Sequence, residues 1–406
     1  MNIATSTYFD TTLAAIDAQQ ASLNTLNNEL ATGKRVNQPS DDPVAFSNAQ
    51  RLSGQITALG QLNADDAQLS ANLGLGSQTL NQILNVVNSV KSIAVQAANG
   101  TTSTQNRTAL NEQVTSLQSE LLSLANTRNG NGVYIFGGSR GETQPFAMQP
   151  NGTVVYQGDG ATQLTHTGES QSAASLLNGG ALTGSFDGNG YGVVTAAPAN
   201  AGSASATVTG LTSGSAAQAF RESASPYTIS FSTVGGQLGY TVTRGGTVVS
   251  TGAYTEGMTL PLSGMDVAFS GTPQNGDAFT LAPAKPTGLF AILQQLSAAL
   301  SQPVGTASSN AQNNQSLDGV IAGLNQAQTG ILSMQSTVGV AMRAIQNATG
   351  TNSNESLNDQ STLSSDVDAN EPAVLTRIDE QTSSLNAAMT AFGKLSQLSL
   401  FNYIQP

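Results

Sequence analysis

The sequence predicts a mainly α protein with an inserted β domain: an elongated helical bundle or coiled coil formed by the N- and C-terminal segments, and a central all-β domain. Three observations carry this. Apolar residues at heptad spacing run through both ends of the chain. Between about residues 141 and 285 the period drops to two, and short apolar runs are separated by Gly-Gly pairs. The composition is that of a folding chain with few charges: of 406 residues, 38% are hydrophobic and 9% charged, against about 25% charged in ordinary globular chains. Neutral polar residues and 42 Gly take the missing places. The low charge suits a protein that packs against other chains.

The elements follow in order. Phe9, Leu13, Ile16, Gln20, Leu23, Asn27 and Leu30 alternate in steps of four and three, which predicts a first helix stopping near Gly33. After a loop through Pro39, Asp42-Pro43 reads as an N-cap followed by proline at the first helical position. The second helix carries Leu52, Ile56 and Leu59, then a seam of Leu69, Leu73, Gly76, Leu80, Ile83, Val87, Val90 and Ala94, and ends at Asn99-Gly100. Leu110, Val114, Leu117, Leu121 and Leu124 form a third helix ending at Asn129-Gly130.

In the centre, Tyr227, Ile229 and Phe231 alternate before Gly235-Gly236. Leu238, Tyr240 and Val242 alternate before Gly245-Gly246, and Val248 and Val249 open the next run. These are hairpins with two-glycine turns. Further strands are expected at 154–156, 267–269 and 278–281. Helices return after Pro286. Leu289, Leu293, Leu296 and Leu300 share a face. Leu317, Ile321, Leu324, Gln328, Ile331, Gln335, Val338, Met342 and Ile345 hold one seam, and a polar loop is expected at 350–354. Val367, Glu371, Val374, Ile378, Gln381, Leu385, Ala388, Phe392 and Leu395 form the last seam.

These elements group into three expected domains: a terminal coiled-coil assembly domain (1–35 and 365–406), a helical rod domain (36–140 and 286–364), and an inserted β-rich outer domain (141–285). Burying an apolar seam residue is worth roughly 1.5–3 kcal/mol, and a lone helix with one apolar stripe cannot collect it. The terminal arms are therefore expected to pair as an antiparallel hairpin and to bury further surface between subunits. Leu13, Ile16, Leu23, Leu30, Ile378, Leu385, Phe392 and Leu395 are the expected assembly residues, with Leu26, Leu398 and Leu400 on flanking faces.

Several functions are excluded or disfavoured. A net charge of −12 argues against a nucleic-acid binder, which needs clustered Lys and Arg. No apolar run reaches the about 18 residues of a membrane span. With no Cys, thiol catalysis and cysteine-ligated metals fall away. Residues 1–10 lack the basic start and apolar core of a secretory signal. Gly137-Gly-Ser-Arg-Gly141 fits G-x-S-x-G, but a helix precedes it, and His166 is the sole histidine; a glycine-rich turn is expected. Asp41-Asp42 reads as capping, Asp65-Asp66 as a solvated face, and Asp187-Gly-Asn-Gly190 as a turn rather than a calcium loop. No catalytic residue, cofactor or metal site is expected, and the chain reads as no enzyme. Gln20, Asn27, Gln328, Gln335, Gln381 and Glu371 interrupt the seams as tolerated polar positions or as register keys. Lys34 and Arg35 serve either an interface or solvation.

Leu30-Ala-Thr-Gly-Lys-Arg35, Pro39-Ser-Asp-Asp-Pro43, Ala97-Ala-Asn-Gly-Thr101, Leu121-Leu-Ser-Leu-Ala-Asn126, Val133-Tyr-Ile-Phe-Gly-Gly138, Pro145-Phe146 and the ending Ser399-Leu-Phe-Asn-Tyr403 stand in an order that resembles the flagellin and hook-associated superfamily, particularly its hook–filament junction branch. The resemblance covers roughly residues 1–160 and 287–406. It implies a structural protein of the bacterial flagellum, self-associating in a ring or tubular layer between hook-associated protein 1 and flagellin. It implies an extracellular protein exported unfolded through the flagellar channel without a cleavable signal, escorted by an export chaperone for which the C-terminal amphipathic helix is the natural docking segment. The filament subunit, flagellin itself, is the alternative within the superfamily.

Overall fold

The structure is a computed structural model describing residues 2–99, 103–161, 163–168 and 171–401; the side chains of 2–6, 8, 181 and 395–401 lie outside that description. Three helices open the chain: α1 (Asn2–Thr32), α2 (Pro43–Ala98) and α3 (Thr104–Ala125). Short strands β1 (Phe146–Met148), β2 (Val154–Tyr156), β3 (Leu164–His166), β4 (Ser172–Ala174) and β5 (Ser185–Phe186) follow. Then come β6 (Gly192–Ala196), β7 (Ser205–Leu211), helix α4 (Gly214–Glu222), β8 (Tyr227–Val234), β9 (Gln237–Arg244), β10 (Thr247–Ala253), β11 (Thr259–Leu262), β12 (Met265–Ser270), β13 (Ala278–Pro283) and β14 (Pro286–Thr287). The chain returns to helix in α5 (Leu289–Leu300), α6 (Ala307–Val367) and α7 (Glu371–Phe401). This is the expected order of helices, β insertion and helices.

Two compact units divide the chain: residues 1–65 with 347–406, and residues 66–346. In the second unit two cores form. Leu73, Leu80, Ile83, Val87 and Val90 of α2 close against Val114 and Leu121 of α3, Leu293 and Leu296 of α5, and Leu317, Leu324 and Ile331 of α6. Phe146, Ala173 and Leu182, from the β-rich stretch, complete this helical core. The other core lies between a five-stranded antiparallel sheet, ordered β10-β9-β8-β13-β6, and a three-stranded sheet, β11-β12-β7. Tyr227, Ile229 and Phe231 alternate inward on β8 as their period requires. Phe231 meets Phe269 and Phe279 edge to face, at centroid distances of 5.5 and 6.1 Å. Both predicted hairpins are present, with Val234 opposite Gln237 and Arg244 opposite Thr247. Gly235 and Gly236 have φ of 61° and 81°, the pair of positive values that a two-residue turn matched to strand twist demands.

One amide ties β6 and β7 to the helices. Gln315 on α6 is buried; its Nε2 donates to the Val194 carbonyl at 2.8 Å and its Oε1 accepts from the Ala206 N–H at 2.7 Å. It thereby satisfies sheet-edge groups that would otherwise lack partners.

Three expectations are corrected. The polar loop at 350–354 is helix: α6 runs unbroken through it. Buried Ala348 and Asn352 extend the three-four spacing past Ile345, and the Thr351 hydroxyl donates back to the Asn347 carbonyl. Helix α3 stops at Ala125 rather than Asn129, because the Asn126 side chain pairs with both the N–H and the carbonyl of Phe146. Asp66 is 1% exposed, so it belongs to the seam of α2 and not to a solvated face.

Candidate assembly surface

The terminal unit is built from a loop outward. Gly33 turns the chain at φ +67°, and the strand-like segment after it is stitched to the α6–α7 junction. Arg35 N donates to the Val367 carbonyl at 2.7 Å, and Ala369 N donates to the Gly33 carbonyl at 2.9 Å. The Arg35 guanidinium donates to the Asp366 carbonyl and reaches Asp42 at 3.4 Å. Val36, Ala45 and Val367 form a small core beneath, with Phe46 and Leu363 against it. Asp42 caps α2 by accepting from the Val44 and Ala45 N–H groups. Asp41 instead accepts from the Asn37 and Gln38 N–H groups and holds the loop. These backbone donors keep both carboxyls below their ordinary range. The motif residues Lys34 to Pro43 thus form one stitched corner. This gives Arg35 a role inside the chain that spacing alone left open.

From that corner α1 and α7 run antiparallel. Phe9 meets Phe392 edge to face at 5.4 Å, and Gln19 Nε2 donates to Ser384 Oγ at 2.9 Å. Ile16 is buried; Leu23 and Leu30 are half-buried, as are Ile378, Leu385 and Phe392. The α1 seam is displaced in phase from the expected one. It reads Phe9, Thr12, Ile16, Gln19, Leu23, Leu26 and Leu30, while Gln20 and Asn27 are exposed. Both readings share positions 9, 16, 23 and 30 and differ in one leucine, Leu13 against Leu26. Leu26 is 7% exposed and Leu13 49%. On α7 the expected seam is kept, Glu371 excepted, which is exposed.

Of the eight expected assembly residues, Ile16, Leu23, Leu30, Ile378, Leu385 and Phe392 are therefore brought together within the chain, and Leu13 is turned outward. The side chain of Leu395 lies outside the described residues, as do those of Leu398 and Leu400, and Tyr403. Among the described residues of α7, two outward apolar residues escaped the sequence reading: Leu375, 49% exposed, and Met389, 43% exposed. Their only signal is a fourteen-residue interval, two heptads, off the main seam.

The chemical decoys resolve as local structure. The Ser139 hydroxyl and N–H both donate to the Asp159 carboxylate, which lowers that carboxyl's pKa; Arg140 stands 4.0 Å from it. His166 closes the β3 strand paired with β4. At 187–190, Asn189 Oδ1 accepts from the Tyr191 and Gly192 N–H groups and makes a turn, while Asp187 accepts from Lys285 N. Among the described residues no group of three or more His, Asp or Glu side chains could hold a metal ion, and no helix is long and apolar enough to cross a membrane.

Comparison with known proteins meets this geometry at both levels. The bacterial flagellin N-terminal helical region matches residues 3–140. The crystal structure of flagellar hook-associated protein 3 from Legionella pneumophila superposes with a TM-score of 0.73 at 25% identity, covering 78% of this chain and 98% of that one. The chain is similar to the flagellin and hook-associated superfamily. It is similar in sequence to flagellar hook-associated protein 3 of Salmonella typhimurium, 32% identical over 176 residues, and of Escherichia coli, 34% identical over 149. The matches take in 41% and 37% of this chain and 56% and 47% of those relatives, so the chain spans about half the length of the curated relatives it matches. Flagellin A of Vibrio cholerae is 31% identical over 157 residues, 37% of this chain and 41% of that one. The superfamily's N-terminal region therefore holds α1, the stitched corner, α2 and α3.

Proposed function

We propose that this chain is a structural junction protein of the bacterial flagellum, assembling between hook-associated protein 1 and the flagellin filament, and that it performs no chemistry. The observation that carries the reading is the likeness to the junction proteins of Legionella pneumophila, which extends over 98–100% of those chains and 78–79% of this one. The terminal helices (1–35 and 365–406) are the assembly domain, residues 36–140 and 286–364 the helical body, and 141–285 the outer insertion. The mechanism has two steps. The α1–α7 hairpin first closes its inner seam within one chain. Its outward residues, Leu13, Leu375 and Met389, then bury against neighbouring copies in a ring or tubular layer. Leu23, Leu30, Ile378, Leu385 and Phe392 keep partial exposure and add to that surface. Export proceeds through the flagellar channel without a cleavable signal, with a chaperone on the C-terminal helix.

A second reading is kept because a flagellin is also similar to this chain, over 157 residues: the chain is the filament subunit. Deleting the gene in its host separates the two. Electron microscopy of hooks without filaments, together with free flagellin in the medium, is the expected result. Bare hooks with no other flagellin released would identify a filament subunit, and intact filaments would overturn both.

A further inference from the structure

The helical core contains a buried cation with no carboxylate beside it. Arg107, in the first turn of α3, is 3% exposed. Its Nε donates to the Leu300 carbonyl at 3.2 Å, and its Nη2 to the Ala299 carbonyl at 2.5 Å and to Asn313 Oδ1 at 2.7 Å. The two N–H bonds of Nη1 have no acceptor among the described residues. The carbonyls at the end of α5 offer partial charge only, whereas guanidinium keeps its full charge in proteins. Among the described residues the ion pairs join Arg35 to Asp42 and Arg140 to Asp159, so Arg107 has none.

Arg107 lines a cavity of about 320 Å³ whose other polar walls are donors and neutral amides: Asn99, Thr104, Asn310, Asn313 and Asn314. Among the described residues no Asp or Glu lines it. Asn313 and Asn310 commit their oxygens to Arg107 and to the Gly305 N–H, which leaves their NH₂ groups as donors. The N-terminus of α3, with Ser103 as its cap and no acidic residue in its first turn, adds positive potential. A buried charge is ordinarily paired; here no anionic partner stands among the described residues, and there is room for one.

We propose that this cavity binds one small oxyanion, inorganic phosphate or sulfate, held by Arg107 Nη1 and the surrounding asparagine amides. The bound anion ties together the end of α2, the start of α3 and the segment between α5 and α6. This is independent of the junction reading.

The test uses the full chain. Equilibrium dialysis with radiolabelled sulfate, at constant ionic strength set by chloride, is expected to give one sulfate per chain, displaced by phosphate. Linkage then raises Tm by about 2–4 °C for each tenfold increase of phosphate above its dissociation constant. Asn314→Asp puts a carboxylate into the cavity at a residue that does not hydrogen-bond Arg107, and is expected to abolish both the binding and the phosphate dependence of Tm. Sulfate bound no better than chloride competes for it, or binding that persists unchanged in Asn314→Asp, would overturn the proposal. The unchanged circular dichroism expected of Asn314→Asp separates loss of the site from loss of the fold.

Discussion

Leu13 and Ile16 sit three residues apart on α1 and are expected to fail in opposite ways. Leu13 is 49% exposed, so about half of the roughly 1.5–3 kcal/mol available from burying a leucine side chain remains to be gained, on the order of 1 kcal/mol per copy. That corresponds to about a fivefold change in an association constant. Leu13→Ala should raise the critical concentration for assembly about fivefold and leave the monomer's helical signal intact. Leu13→Asp should do more, because the carboxylate must be desolvated at the contact. Ile16 is 7% exposed, and truncating a buried isoleucine costs about 2–5 kcal/mol. That loss falls on the α1–α7 hairpin within one chain, so Ile16→Ala should lower the far-ultraviolet helical signal of the monomer before assembly is tested. Light scattering against concentration gives the first quantity and circular dichroism the second. An unchanged critical concentration in Leu13→Ala, or equal loss of monomer helix in both variants, would refute the assignment of inner and outer faces.

Further outcomes follow from the second unit. Gln315→Leu leaves the Ala206 N–H and the Val194 carbonyl buried without partners; at about 1–3 kcal/mol each, offset by the leucine's own burial, a net loss of about 0–4 kcal/mol is expected. With central values of about 4 kcal/mol lost and about 2 regained, the net is about 2 kcal/mol, which a lowered urea midpoint and faster exchange of the Ala206 amide would register. Burial raises the carboxyl pKa of Asp318, so the folded state binds its proton more readily than the unfolded state does. Stability from this group is therefore greatest at low pH and falls as pH rises through the raised value; Asp318→Asn should stabilise the unit at pH 7 and be neutral below the unfolded pKa of 3.8, as urea midpoints at both pH values would reveal. Gly236→Ala meets nothing within 4 Å of the added Cβ, so its cost is that of a positive φ alone, about 1–2 kcal/mol, read as faster exchange in the β8–β9 hairpin.

Much of the architecture is legible in the residues. The Gly-Gly pairs located both hairpins to the residue, because two positive φ values in succession leave few alternatives to glycine. The seams of α2, α3 and α5 were equally clear, because each is buried on one face in a single chain. Thr, Asn, Ser and Gly at 350–354 look like a breaker, whereas the helix satisfies the Thr351 hydroxyl internally and buries Asn352. Asp66 was misread for a related cause: its carboxyl type suggests solvent, but its position continues a heptad. Arg107 gave no signal at all, since nothing in sequence links it to the end of α5 almost two hundred residues away.

The sequence by itself determined that α1 and α7 carry paired apolar stripes and that a β insertion separates two helical arms. It could not determine which stripe of α1 faces inward. Positions 9, 16, 23 and 30 belong to both heptad phases, and the remaining choice sets Thr12, Gln19 and Leu26 against Leu13, Gln20 and Asn27, one leucine on each side. Local propensity is blind between them. The stitched corner decides: the bonds from Arg35 to Val367 and from Ala369 to Gly33 fix where α7 leaves relative to α1, and that placement buries Leu26 and turns Leu13 outward.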